Sequence, residues 1–184
     1  MKNILIVGPP RSGKTVLATT ISKEIPLYNI ISTDVIRSAI WEGLFKTVDK
    51  KEKKQIVKNA FPQIINKMIE MYCKFYNPKT FYVLEGDELS IEDAFEISKK
   101  NGIDIVCVGT PNIKANEFFK RIRDYSVKHR CWTDECSDSE LLELCEELIN
   151  RSKEEAKFAK ANGITYLDTS YDLNCLSEYV RKIQ

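Results

Sequence analysis

Short apolar runs alternate with longer amphipathic segments along the chain, and this alternation predicts the fold. Five runs have the length and composition of buried strands, and each is bounded by turn residues or a helix signal. They cover residues 2–7, 28–31, 81–85, 103–109 and 164–168. Continuous apolar strands separated by helices are typical of a parallel sheet covered on both faces. The pattern therefore predicts an α/β three-layer sandwich in which no strand is half-exposed.

The segments between the strands carry helical periodicity and recognisable helix ends. Helices are predicted over residues 14–25, 34–46, 51–76, 90–100, 114–128, 137–161 and 173–183. Ser90 is the expected N-cap of one helix, and Ser137 with Glu140 forms the capping box of another. Pro62 should bend or break the long helix over 51–76, because proline removes a backbone donor and clashes with the preceding turn.

Composition narrows the classes of protein that this pattern allows. The 184 residues suffice for one well-cored domain, which we expect to span residues 1–184. A formal net charge of +1 creates no field that favours nucleic acid or an acidic membrane surface. No apolar run reaches the roughly 18 residues of a membrane span. Six cysteines without a secretion signal indicate free thiols and a cytoplasmic protein. We expect a monomer or a homodimer.

A glycine-rich turn between the first strand and the first helix carries the strongest chemical signal. It reads Gly8-Pro9-Pro10-Arg11-Ser12-Gly13-Lys14-Thr15 and fits the pattern G-x-x-x-x-G-K-[ST] in full. Glycines let the backbone N–H groups surround phosphate oxygens, and the next helix points its positive end at the same anion. Lys14 is expected to reach the β- and γ-phosphates and the Thr15 hydroxyl to ligate Mg²⁺. The motif predicts a site for Mg²⁺-ATP or a close relative.

Three further segments, taken with this P-loop, resemble the small P-loop kinases related to adenylate kinase, shikimate kinase and gluconate kinase. The segments are Ile31-Ser32-Thr33-Asp34-Val35-Ile36-Arg37, Leu84-Glu85-Gly86 and Tyr166-Leu167-Asp168-Thr169-Ser170. The resemblance implies a strand order of 2-3-1-4-5, acceptor-binding helices over about 34–76 and a lid over about 115–139. It implies ATP and Mg²⁺ as cofactors and a small-molecule phosphoryl acceptor. Zeta-toxin-like kinases are a further family to which the sequence could be related.

The resemblance also implies roles for individual residues near the acceptor. Asp34 would orient or deprotonate the acceptor hydroxyl, and Arg37, one helical turn later, would hold an acceptor phosphate or carboxylate. Glu85 ends an apolar strand, where a carboxylate can bind substrate through a Mg²⁺-bound water. Asp87 or Glu88 could take this metal role instead.

Two arginines on the helix that follows the fourth strand are candidate catalytic residues. Arg121 or Arg123 could stabilise the negative charge that spreads over the transferred phosphoryl group. Residues two apart face different sides of a helix, so at most one of them should reach the phosphates.

These features predict a Mg²⁺-ATP-dependent kinase that acts on a small molecule. Glu85-Gly86-Asp87-Glu88-Leu89 stands where adenylate kinases carry D-G-F-P-R, which disfavours ordinary adenylate kinase activity. One alternative is a nucleotide-dependent switch or ATP-binding module without phosphoryl transfer, although the N-K-x-D and D-x-x-G elements of GTPases are missing from the sequence. A polynucleotide 5′-hydroxyl kinase is another, and the neutral overall charge argues against it.

Overall fold

The computed structural model describes residues 1–44, 49–75, 80–127 and 132–184, and within them five parallel strands form one sheet. The strands are β1 (Ile4–Val7), β2 (Tyr28–Ser32), β3 (Phe81–Glu85), β4 (Asp104–Gly109) and β5 (Thr165–Asp168). The helices are α1 (Lys14–Glu24), α2 (Thr33–Leu44), α3 (Lys50–Phe75), α4 (Ile91–Asn101), α5 (Ala115–Ser126), α6 (Asp138–Asn162) and α7 (Asn174–Ile183). A short 3₁₀ helix, Trp132–Glu135, lies between α5 and α6. The predicted helix ends at 46, 76 and 128 fall outside the described residues.

The strand order is β2-β3-β1-β4-β5, which confirms the predicted order of 2-3-1-4-5. β1 is central and pairs in parallel with both β3 and β4, with Ile6 opposite Glu85 and Val7 opposite Cys107. Ligands bind at the carboxyl ends of the strands in open α/β sheets. This register brings the ends of β1 and β3 together at that edge, so the P-loop after β1 lies beside Glu85.

Side chains alternate along β1 and separate two apolar layers. Ile4 and Ile6 pack in the cluster that α1 and α7 cover, whereas Leu5 and Val7 pack in the cluster that α3, α4 and α6 cover. All four are at most 1% exposed, as expected for a central strand with helices on both faces. The predicted α/β three-layer sandwich is therefore confirmed.

A third group of apolar residues lies away from the two faces of the sheet and holds α5 against α6. We call it the α5–α6 cluster. It consists of Ile113, Phe118, Ile122, Leu141, Cys145, Leu148 and Ile149. The described cysteines are free thiols. Within the described ranges, no helix has both the length and the apolar character that crossing a bilayer requires.

The predicted helix caps are present. The Ser90 hydroxyl accepts a 3.0 Å hydrogen bond from the Asp93 amide at the start of α4. Ser137 and Glu140 form a complete capping box at the start of α6, where the Ser137 amide donates to Glu140 at 2.8 Å. Each cap satisfies backbone donors that the first turn leaves without a partner.

One expectation drawn from the pattern was wrong, and of the two outcomes expected at Pro62 the break does not occur. β2 is an edge strand, and its Asn29 and Ile30 are exposed, because it has a neighbour on one side only and the helices do not cover it fully. α3 runs through Pro62 without a break. The side chains of Phe61 and Ile65, on either side of Pro62, are at most 1% exposed, so burial of both halves against the same core holds the helix together.

Candidate active site

The P-loop is shaped by glycines that no other residue can replace without strain. Gly8 has a φ of 138°, and a Cβ added there would lie 2.0 Å from the Val108 carbonyl oxygen on β4. Gly13 has a φ of 102° directly before α1. The Lys14 ammonium donates to the carbonyl oxygens of Gly8 and Pro9 at 2.8 and 2.7 Å, so it lies curled over the loop. Burial lowers the pKa of Lys14 from its ordinary value.

Thr15 and Glu85 meet beside the P-loop. The Thr15 hydroxyl donates a 3.0 Å hydrogen bond to Glu85 Oε2, and Glu85 is buried. Oxygen ligands of this kind suit Mg²⁺, which takes one or two protein ligands and completes its shell with waters and substrate phosphates. Within the described residues, no group of three or more His, Cys, Asp or Glu could hold a metal ion by itself. The residues present therefore fit a metal that arrives with a nucleotide.

A second carboxylate group lies on the β3 side of the P-loop. The Thr33 hydroxyl donates to the Glu85 carbonyl oxygen at 3.1 Å, and a Cβ added at Gly86 would lie 1.8 Å from Thr33 Oγ1. This close approach brings Asp34, in the first turn of α2, against Asp87. Burial raises the pKa of Asp34 to about 6. The charge of Asp87 and a hydrogen bond with its side chain add to the shift, whereas a hydrogen bond with its backbone opposes it.

Both arginines on this side are paired with carboxylates of the chain. Arg37 lies 2.8 Å from Glu88, while its buried Nε has no hydrogen-bond partner among the described residues. Arg151 on α6 lies 2.7 Å from the buried carboxylate of Glu155 and also donates to the Asp87 carbonyl oxygen at 3.3 Å. Arg151 therefore links α6 to the loop that carries Asp87.

A cavity of about 480 Å³ opens on the β4 and β5 side of the P-loop. Arg121 forms part of its wall and donates to the carbonyl oxygens of Thr169 and Ser170 at 2.9 and 2.6 Å. The Thr169 hydroxyl in turn donates to the Ser12 carbonyl oxygen at 2.7 Å, which ties the end of β5 to the P-loop. The remaining wall is largely apolar and aromatic, with Phe118, Ile122, Tyr125, Tyr171 and Leu173.

Arg123 lies away from this cavity, on another side of α5. Its guanidinium donates to the carbonyl oxygens of Thr133 and Cys136 at 3.3 and 2.8 Å and pairs with Asp138 at 2.8 Å. Arg121 and Arg123 thus point to different places, as residues two apart on a helix must. The contacts of Arg123 hold the 3₁₀ helix and the start of α6 to α5.

Some contributors to the site were not singled out from the sequence. Tyr125 and Tyr171 line the cavity, yet aromatic residues in an amphipathic helix and a loop give no readable signal of their own. Asp87 was considered for the metal alone, whereas it contacts Asp34. Its position two residues after Glu85, at the carboxyl end of a strand, is the signal that could have suggested an active-site role.

Comparisons with known sequences agree with this geometry. A model of the AAA domain family matches residues 4–81. The adenylate kinase of Borrelia recurrentis (strain A1) is 26% identical over 166 residues, which is 84% of this chain and 74% of the relative. The adenylate kinase of Desulforamulus reducens is 31% identical over 94 residues, which is 50% of this chain and 43% of that relative.

Solved structures share the fold at low sequence identity. Shikimate kinase from Bacteroides thetaiotaomicron superposes with a TM-score of 0.59 at 17% identity, covering all of this chain (100%) and 96% of the other. A putative kinase from Chloroflexus aurantiacus superposes with a TM-score of 0.55 at 15% identity, covering 99% and 95%. The solved structures share the fold, and the sequence matches are to adenylate kinases. They confirm the resemblance seen in the sequence.

Proposed function

We propose that the protein is a Mg²⁺-ATP-dependent phosphotransferase that moves the γ-phosphoryl group to a hydroxyl of a small molecule. The observation that carries the proposal is the Asp34–Asp87 carboxylate pair beside the P-loop, in which the pKa of Asp34 is raised to about 6. A carboxylate with a pKa near neutrality is suited to accept a proton from a reacting hydroxyl. The named kinases among the relatives favour phosphoryl transfer over a switch without transfer.

The nucleotide would occupy the P-loop and the adjoining cavity. The P-loop amides and Lys14 would bind its phosphates, while the nucleoside would lie between the apolar and aromatic walls near Tyr125 and Tyr171. A bound Mg²⁺ would supply positive charge that offsets part of the charge of the phosphates. Thr15 and Glu85 are the side chains that would hold this ion or its waters.

In the transfer step, the acceptor oxygen attacks the γ-phosphorus and the bond to the β–γ bridging oxygen breaks, which releases ADP. Asp34 takes the proton of the attacking hydroxyl. Lys14 and an arginine would stabilise the charge on the transferred group, and Arg121 lies nearer to the cavity for this role than Arg123. The helices over about 34–76 would form the acceptor pocket. The segment over about 115–139 would act as a lid that excludes water and limits hydrolysis.

The charges around Asp34 favour an acceptor without a phosphate or carboxylate group. Among the described residues, Arg37 and Arg151 are paired with Glu88 and Glu155. The carboxylates of Asp34, Asp87 and Glu85 share Lys14 as a cationic neighbour and outnumber it. A dianionic acceptor would therefore meet a net negative surface, which disfavours its binding. We propose an uncharged or amine-bearing hydroxyl compound, with the Arg37 Nε donating to one of its oxygens.

The test is ADP release from Mg²⁺-ATP with separate pools of neutral sugars and polyols, amino sugars and amino alcohols, and phosphomonoesters including nucleoside monophosphates. We expect stimulation by one of the first two pools. Stimulation only by phosphomonoesters would contradict the proposed acceptor class. No stimulation despite tight ATP binding would favour a switch, and stimulation by a 5′-hydroxyl oligonucleotide would favour a polynucleotide kinase.

Two variants assign the chemistry in the same assay. Lys14→Ala is the blank and should lower turnover by about 10²-fold or more with the fold intact, because a charged donor to the phosphates is lost. Asp34→Asn should lower transfer by about 10²–10⁴-fold while ATP binding is retained, since the base is removed. Unchanged transfer by Asp34→Asn would show that the carboxylate is not the base.

A further inference from the structure

Arg11 has a backbone conformation that its side chain does not favour. It is the third variable residue of the P-loop, and its φ is 65°. Among the described residues it is the one non-glycine residue with a positive φ. The left-handed region costs free energy for any residue with a Cβ, and glycine adopts it freely. A strained residue of this kind in a ligand-binding loop points to a use for its side chain.

The Arg11 side chain joins the P-loop to the segment that precedes α6. Its guanidinium carbon lies 5.2 Å from the centroid of the Tyr125 ring near the end of α5, in a cation–π arrangement. One terminal nitrogen donates to the Thr133 hydroxyl in the 3₁₀ helix at 3.5 Å. Asp134 lies close enough to support the positive charge of Arg11 through its field. The P-loop therefore contacts both α5 and the 3₁₀ helix through one side chain.

Arg11 lines the cavity beside the P-loop and also keeps an unused donor beneath its surface. Its Nε is buried and has no hydrogen-bond partner in the part of the chain that the structure describes. Arg121, the other arginine of this cavity, has both terminal nitrogens engaged by the carbonyl oxygens of Thr169 and Ser170. A buried N–H without a partner is unfavourable, and an oxygen-rich anionic ligand would satisfy it with a charge-assisted hydrogen bond.

We propose that Arg11 is a nucleotide-contact residue that ties the loaded P-loop to α5 and to the 3₁₀ helix Trp132–Glu135. Its Nε donates to an oxygen of a bound nucleoside triphosphate, while the face of the guanidinium stays against Tyr125. Occupancy of the P-loop and the position of these two elements are then linked through one residue. The inference rests on the nucleotide binding of the proposed function and goes beyond the backbone role that the P-loop motif gives to this position.

Arg11→Gly is the decisive variant because glycine suits the left-handed backbone. The loop should keep its shape. Relief of the left-handed strain opposes the loss of the Tyr125 and Thr133 contacts and the greater freedom of the unfolded chain, so the thermal unfolding temperature without ligand should change little. Mg²⁺-ATP should nevertheless bind at least tenfold more weakly by calorimetry. Arg11→Lys keeps the charge but has no Nε–H in that place, so it should recover the affinity only in part. Arg181→Ala, which removes an exposed arginine of α7, is the matched control and should bind as the wild type does.

Hydrogen exchange supplies a second readout that a purely structural role would not move. In the wild type, Mg²⁺-ATP should slow exchange of the amides around Thr133 in the 3₁₀ helix, which does not line the cavity. Arg11→Gly should lose this effect even at saturating nucleotide. Wild-type affinity and protection in Arg11→Gly would overturn the inference and leave the proposed function standing. If the wild type itself binds no nucleotide, the proposed function and this inference both fail.

Discussion

The Thr15 hydroxyl donates a 3.0 Å hydrogen bond to Glu85 Oε2 and so joins the first turn of α1 to the end of β3. This contact places a hydroxyl and a carboxylate oxygen at the point where the P-loop would present the phosphates. The parallel pairing of β1 with β3 brings this hydroxyl and this carboxylate together. The pair is therefore where Mg²⁺ dependence should originate.

Glu85→Gln should raise the Mg²⁺ concentration needed for half-maximal ATP turnover by about tenfold or more, because the amide lacks the charge that attracts the ion or its waters. The measurement is a Mg²⁺ titration at fixed ATP. Glu178→Gln, an exposed position on α7, is the control and should leave the titration unchanged. An identical Mg²⁺ requirement in wild type and Glu85→Gln would remove Glu85 from the metal site.

Gly86→Ala should destabilise the protein and disturb the Asp34–Asp87 pair. The added Cβ would lie 1.8 Å from Thr33 Oγ1, so α2 must shift, and overpacking of this kind costs about 1–3 kcal/mol. Gly43→Ala on α2 is the matched control, because no described residue lies within 4 Å of its Cβ and alanine favours a helix by about 1 kcal/mol. Urea unfolding should move in opposite directions for the two variants. Equal midpoints would contradict the close packing of Thr33 on Gly86.

The raised pKa of Asp34 predicts a pH dependence of stability in the absence of nucleotide and Mg²⁺. The folded-state pKa of about 6 exceeds the ordinary value of 3.8, so the fold favours the protonated carboxyl. This contribution is complete below the unfolded pKa and is lost as the pH rises through about 6. Asp34→Asn lacks it, so its free energy of unfolding relative to wild type should increase between pH 4 and pH 7. A constant difference across urea titrations at these two pH values would contradict the prediction.

Arg121→Gln and Arg123→Gln should separate nucleotide binding from local stability. Arg121 lines the cavity, and its loss should weaken Mg²⁺-ATP binding by about tenfold, since hydrogen bonds from charged groups contribute about 1.5–3 kcal/mol. Arg123 holds carbonyl oxygens of Thr133 and Cys136, so its loss should lower the unfolding temperature with little effect on ATP affinity. The reverse pattern, measured by calorimetry and thermal unfolding, would make Arg123 the nucleotide arginine.

Sequence patterns predict the strands, the caps and the P-loop because each depends on local chemistry. Apolar runs bounded by turns define buried strands, and a serine three residues before a carboxylate defines a helix start. The strand order came from resemblance to known kinases. The exposure of Ile30 could not be predicted in this way, because it depends on β2 being the edge of the sheet rather than on its composition.

The contacts of the site depend on tertiary structure that the sequence alone does not express. Asp34 and Asp87 are separated by two helices and a strand, and their contact depends on the absence of a side chain at Gly86. The pairing of Arg37 with Glu88 depends on the same approach of α2 to the end of β3. The residue types alone indicate a site that contains carboxylates and arginines. Which of these charged groups are already paired within the protein, and which can still bind a ligand, depends on the tertiary contacts.

The α5–α6 cluster gives the region around the cavity a small apolar core of its own. Its members, among them Phe118 and Leu141, pack apart from the two layers that cover the sheet. The free energy of opening this region therefore need not equal that of unfolding the whole molecule. In native-state hydrogen exchange under mild denaturant, we expect the amides around Ile122 to form a cooperative unit that opens before the amides of β1. A nucleotide could then be admitted and released by partial opening of one end of the molecule, at a rate independent of global unfolding.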